Sequence, residues 1–263
     1  MANQVSLMTY LQKPLPAIPI NPPPKLGGNT TNTSYEAGDI HSTAIWHGFN
    51  LTTIRQLYDN ILFQAYLPPD DLPASPPRAI TAENSLRAAI QEYVVPRVRR
   101  ALRAAFAHMA ANRQTDGVTP VSFGVGECAN LVDNFKPDTA YFAVALPAGT
   151  GSNRAPGDIK PSWKWSTALA THLLASMRTE FRQALSQVNF YMKQHQARYG
   201  FLLTDRELVA FQRLDDDGNL ELAAPIPFTR GGTAAQPQLT VMLALFYIGM
   251  LAAQDGGARR WNM

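Results

Sequence analysis

Asp138, Asp158 and Lys160 are the residues of this chain best suited by type and spacing to chemistry. Asp138 follows Pro137 at the mouth of an apolar, β-rich run from Thr139 to Leu146. A Gly/Pro/Ser-rich turn then leads to a second short strand carrying Asp158-Ile159-Lys160. Alternate residues of a strand share a face, so Asp158 and Lys160 point the same way. Two carboxylates and a lysine brought together at the ends of adjacent strands can hold a hard divalent cation and stabilise charge developing on a phosphate.

Pro137-Asp138, nineteen residues, then Asp158-Ile159-Lys160 resembles the signature of the PD-(D/E)XK nuclease superfamily. Gln187-Val188-Asn189-Phe190-Tyr191 downstream resembles the QxxxY element of its RecB-like branch. Either motif alone is weak, because a Pro-Asp pair and a DxK tripeptide arise easily by chance. Their order, strand, turn, strand, helix and then an apolar hairpin, makes the match more specific. It covers about 81–214, and the phrases GDIKPSWKW and YGFLLTDRELVAF are similar to uncharacterised fungal members of the superfamily. Asp158 stands where glutamate is frequent in that pattern, a shorter carboxylate that must sit closer to a metal.

The resemblance implies a restriction-endonuclease-like α/β fold, a central mixed sheet flanked by helices. It also implies Mg²⁺-dependent hydrolysis of DNA phosphodiester bonds, with Mn²⁺ as a substitute. Asp138 and Asp158 would hold the metal together with a glutamate from the preceding helix, Glu83 by first choice and Glu92 in reserve. Lys160 would position water or stabilise the transition state. Gln187 and Tyr191, four apart and so neighbours on one helix face, would reach the site from above. Lys164 and Trp163 are candidates to grip a backbone and stack on a base, and Arg182 and Lys193 add basic charge on the later helix. The alternative is an inactive nuclease fold serving as a nucleic-acid-binding, protein-binding or regulatory module.

The elements that must place these residues are legible from periodicity. Leu86, Ile90, Val94, Val98, Leu102, Phe106 and Met109 mark a long helix from about Thr81 that Pro96 should kink or split. Arg97, Arg99, Arg100 and Arg103 follow the kink, as phosphate contacts or as a solvated face. Strands are expected near 121–125, 138–146, 157–160, 200–203 and 207–213, and a helix over about 166–198. Gly126-Glu127-Cys128 should turn the first of these strands towards Asp138, with Glu127 an ordinary turn carboxylate rather than a metal ligand. Asn50 caps a short helix that ends before Pro68-Pro69. His41 and His47, six apart around Trp46, match no helical ligand pair and suit packing better.

Residues 1–45, rich in Pro, Asn and Thr, are expected to form a partly extended arm, open to a protein partner, with residues 46–263 as the nuclease-like domain. At 263 residues and 46% hydrophobic composition the chain can bury a large core. Its net charge of +3 permits an anionic partner without requiring one. A single cysteine, Cys128, rules out an internal disulfide framework or a cysteine-rich zinc site. The absence of a GxSxG elbow disfavours a serine hydrolase. Asp215-Asp216-Asp217-Gly218-Asn219 opens like a calcium loop but has Ile226 at the twelfth position, so it is read as a hairpin turn. The N-terminus lacks the basic and apolar regions of a secretory leader, so the protein is expected inside the cell, in nucleus or cytoplasm. Leu239–Ala253 is fifteen apolar-rich residues, short of the roughly 20 needed to span a bilayer, and is expected to be a buried closing helix rather than a membrane contact. A polar tail ends at Trp261.

Overall fold

The computed structural model describes residues 4–24, 27–70, 72–73 and 75–254, and the polar tail with Trp261 lies outside them. In chain order the elements are β1 (Val5–Ser6), α1 (Leu7–Leu11), β2 (Ser42–Ile45), α2 (Leu51–Gln64), β3 (Tyr66–Leu67), α3 (Glu83–Tyr93), α4 (Val95–Ala111), β4 (Val121–Val125), β5 (Thr139–Ala143), β6 (Gly157–Ile159), α5 (Ala175–His195), β7 (Tyr199–Leu203), β8 (Glu207–Arg213), β9 (Asn219–Leu222), β10 (Ile226–Pro227) and α6 (Val241–Gln254). The fold is α/β, a large mixed sheet with helices on both faces.

The main sheet runs β2-β9-β8-β7-β6-β5-β4, with β10 pairing to β8. β2 runs parallel to β9 and β6 parallel to β7, while the other neighbours are antiparallel. Strand alternation divides the core in two. Phe201, Leu203, Leu208 and Ala210 join the larger core with α1–α4 and α6, whereas Leu202, Val209 and Phe211 pack beneath α5. Each of these Leu, Val and Phe side chains, once fully buried, contributes about 1.5–3 kcal/mol of transfer free energy. α6 is buried almost throughout, and Tyr141 on β5 donates its hydroxyl to Leu245 O at 2.6 Å. Among the described residues no helix is long and apolar enough to cross a membrane.

Local chemistry accounts for the helix boundaries. Asn50 Oδ1 accepts from Thr53 N at 2.9 Å and caps α2. The long helical pattern breaks at Val94, because Pro96 lacks an amide hydrogen and its ring excludes the preceding turn, leaving α3 and α4 as separate rods. α5 begins nine residues later than the Ser166 start that the apolar periodicity suggested. Residues Thr167–Thr171 instead make a 3₁₀ turn, fixed by Glu207, whose carboxylate accepts from Thr167 N at 2.7 Å and from Thr167 Oγ1 at 3.1 Å. Leu173 and Leu174, within the span expected to be helical, are consequently exposed at 94% and 58%.

The N-terminal segment departs most from expectation. Leu7, Met8, Leu11, Leu15 and Ile18 are buried in the larger core, and β2 extends the main sheet, so residues 5–18 and 42–45 belong to the domain rather than to an appended arm. Apolar residues at short helical spacing outweigh the prolines that follow them. The connection at 27–36 is mostly exposed and makes a tight turn at Asn32–Tyr35, yet Asn29 and Tyr35 are buried against the body.

Candidate functional site

The site lies on the α5 face of the sheet, where β5 and β6 end beside the first turn of α3. Ile159 points into the larger core, so its neighbours Asp158 and Lys160 face α5. Both are 1% exposed. Gly126 makes the geometry of Asp138: a Cβ there would lie 1.8 Å from Pro137 O, and its amide donates to Asp138 O at 3.2 Å. Asp138 Oδ2 in turn accepts from Ile159 N at 2.9 Å, which ties the start of β5 to the end of β6 through the carboxylate itself. Asn153 holds the far side of the turn. Its side chain donates to Thr139 O at 2.9 Å and accepts from Tyr141 N at 3.1 Å.

Lys160 Nζ sits 2.7 Å from Asp158 Oδ2, in an ion pair without hydrogen-bond geometry. Burial alone would pull the lysine down, but the negative charges of Asp158, Glu83 and Asp138 outweigh it and hold Lys160 above its ordinary value. Asp138 is pushed up to about 8, first by burial and then by the Asp158 carboxylate within hydrogen-bond reach, against the opposing effect of Arg87. Asp138 therefore holds a proton at a pH where an ordinary aspartate has released it.

From above, α5 supplies Gln187 and Tyr191. Gln187 Nε2 donates to Tyr191 Oη at 3.0 Å, which leaves the phenolic hydrogen free to donate. Gln187 Oε1 is buried without a hydrogen-bond partner. Tyr191 is shifted above the normal phenol range by burial and by the negative charge of Asp158. These two residues therefore join Asp158 and Lys160.

Glu83 opens α3 at the rim and is bound by two cations: Arg87 NH2 at 2.5 Å and Lys164 Nζ at 3.2 Å. Arg87 also reaches Asp138 Oδ1 at 2.8 Å and so lies between the two carboxylates. Among the described residues no group of three or more His, Cys, Asp or Glu side chains is arranged to hold a metal ion. The expected three-carboxylate ligand set is thus not assembled; Asp138 and Asp158 meet, and Glu83 is joined to them through Arg87. Glu92 is exposed on α3 and lines a separate cavity of about 540 Å³ with Ser75, Arg78 and Ser85.

The nucleic-acid candidates divide. Lys164 is at the site through Glu83. Trp163 packs against the larger core, and Arg182 and Lys193 are exposed on the outer side of α5. Trp165 is fully buried, stacked on Phe181 at 5.7 Å between ring centroids. Glu127 pairs with Lys136 away from the carboxylate pair. Asp215 accepts from Asp217 N and Asn219 N, closing the β8–β9 turn on itself.

Three residues of the site escaped the sequence. Arg87 carried one usable signal, its position four residues after Glu83, where an ion pair is expected. Asp205 holds the chain leaving Lys160 by accepting from Ser162 N at 2.7 Å and Ser162 Oγ at 2.8 Å. Tyr35 comes from the N-terminal segment, and no local pattern placed it here. Its ring lies 5.5 Å from that of Phe190 and 6.5 Å from that of Phe135. Comparison of the chain with family models, curated proteins and solved structures returns no match.

Proposed function

We propose that the chain is a metal-dependent nuclease with a restriction-endonuclease-like fold, acting on phosphodiester bonds through Asp138, Asp158 and Lys160. The observation that carries this reading is the meeting of the two carboxyl groups beside a charged lysine at paired strand ends, with Gln187 and Tyr191 facing them from α5. It is supported by the donor set: two carboxylates and an unpartnered amide oxygen suit Mg²⁺, which commonly uses one or two protein carboxylates and keeps water in its remaining positions. Asp138 and Asp158 would hold the ion, which when bound lowers the pKa of water and polarises a phosphoryl oxygen.

The chain's own residues have separate tasks. Lys160, kept protonated by its surroundings, donates to a phosphate oxygen and offsets charge gained in the transition state. Gln187 Oε1 can accept from the attacking water, and the Tyr191 hydroxyl can donate to a phosphate oxygen. Arg87 and Lys164 at the rim supply positive charge to the incoming backbone. Asp205 keeps the segment after Lys160 in place.

The test is cleavage of labelled single- and double-stranded DNA in Mg²⁺, Mn²⁺ or EDTA, beside Asp158→Ala and Lys160→Ala. Cutting that requires metal and falls by at least about 10²-fold in both variants is expected, the scale on which removal of one electrostatic stabiliser acts. Folded wild-type protein that cuts nothing under any of these conditions would overturn the enzyme reading and favour a binding module.

A further inference from the structure

The reactive side chains are closed off. Lys160 and Asp158 are 1% exposed, a condition in which no phosphodiester reaches them. Part of the covering is the sheet and α5, but one layer is neither. Residues 29–36 lie against α5, turn back on themselves through a bridge between Asn32 and Tyr35, and are tied down at both ends. At one end Asn29 donates its side-chain amide to Glu180 O at 3.0 Å and to Lys164 O at 3.4 Å, and its backbone amide to Glu180 Oε2 at 2.8 Å. Gln183 Nε2 adds a bond to Thr30 O at 3.0 Å. At the other end Tyr35 is 3% exposed and packs on Phe190, the neighbour of Tyr191. Between these ends Thr31, Asn32, Thr33 and Ser34 are exposed, with no apolar side chain to bury.

A segment held by a few side-chain hydrogen bonds and one aromatic ring is the weakest layer over the site, because each such bond contributes only about 0.5–1.5 kcal/mol net. We propose that residues 29–36 form a strap that closes the Asp158–Lys160 site with Tyr35, and that it lifts to admit a nucleic-acid backbone. The strap is an autoinhibitory contact within the chain. Its role in gating cleavage rests on the nuclease reading above, whereas its role as a cover does not. Burial raises the Tyr35 phenol above its ordinary value, with the charges of Lys160 and Asp158 acting on it in opposite senses, which agrees with a ring packed on Phe190 beside the pair.

The strap can be loosened without touching the proposed reacting groups, by the double variant Asn29→Ala/Gln183→Ala and, as a milder form, Gln183→Ala alone. The primary readout is acylation of Lys160 by an amine-reactive reagent at one alkaline pH, taken as the variant-to-wild-type ratio because the ion pair with Asp158 holds the amine protonated to the same degree in both proteins, and mapped by mass spectrometry with exposed Lys136 as internal reference. Lys160 labelling is expected to rise at least five-fold in the double variant and by a smaller factor in the single one, with circular dichroism and Lys136 labelling unchanged. Unchanged Lys160 labelling in a folded double variant would overturn the strap as the cover, whatever the protein does to DNA. In parallel, cleavage at subsaturating single-stranded oligonucleotide with Mg²⁺ should rise several-fold. If labelling rises while the wild-type cleavage rate is kept or falls, the segment does not inhibit and the gating proposal fails, although the nuclease reading stands. If labelling rises and neither protein cuts, gating fails together with the nuclease reading and only the cover survives.

Discussion

Burial of the Asp138–Asp158 pair makes a pH prediction for the metal-free protein. With Asp138 pushed up to about 8 from the model-compound value of 3.8, the folded state holds a proton between those limits that the unfolded chain has released. Stability from this proton is complete below about pH 4 and is lost as pH rises through about 8, because folding then requires the carboxyl to bind a proton that solvent supplies less readily. His195 titrates in the opposite sense. Burial pushes it down to about 4, so stability rises with pH up to its unfolded value of 6.5 and is flat beyond. The window from pH 6.5 to 8 therefore isolates the carboxyl pair from His195. Over it, one proton leaving a group of pKa about 8 removes about 1–2 kcal/mol, the slope being near 1.36 kcal/mol per pH unit while the folded carboxyl stays protonated and smaller as it ionises towards pH 8. For a chain of this size that is a fall in Tm of about 3–6 °C. The assay is thermal or urea unfolding in EDTA at half-unit pH steps, for the wild type and Asp138→Asn. The neutral amide cannot titrate, so the variant should be flat across the window apart from changes common to both proteins. Parallel profiles for the two proteins would refute the raised Asp138 carboxyl and the burial beside Asp158 that raises it.

Other substitutions probe the elements that build the site. Gly126→Ala places a Cβ 1.8 Å from Pro137 O and should cost about 1–3 kcal/mol or more while displacing Asp138, read as a lower urea midpoint. Tyr141→Phe removes the buried 2.6 Å bond to Leu245 O and leaves that carbonyl to its helix, for a loss of about 1–2 kcal/mol in chemical unfolding. Leu173→Glu should change stability by no more than about 0.5 kcal/mol, since the side chain is 94% exposed; a large loss would show that α5 extends back to the position its periodicity first suggested.

Much of the candidate site was legible because strand and helix periods are local. Asp158 and Lys160 share a face by alternation, and Gln187 and Tyr191 share one by i,i+4 spacing, so each pair could be placed before any tertiary contact was known. Strand 121–125 alternates, and 207–213 carries the continuous apolar run of a strand buried on both faces, so both were marked residue by residue. Pro96 announced the division of α3 from α4 through its missing amide hydrogen. Other features depended on contacts remote in sequence. Whether Glu83 faces a metal or an arginine is decided by the approach of α3 to β5, which brings Arg87 to Asp138 across 51 positions of chain. The start of α5 was set by Glu207, on a strand that comes later, and the apolar run at Leu173 gave no hint that it would be left in solvent. The N-terminal segment shows the division most clearly. Composition alone made it an arm, since its prolines and small polar residues bury little surface, but Leu7, Met8 and Leu11 find a core assembled by helices far downstream, and Tyr35 finds the aromatic surface of α5. Local periodicity determines which side chains stand together on one element; only the packing of those elements determines what stands across from them.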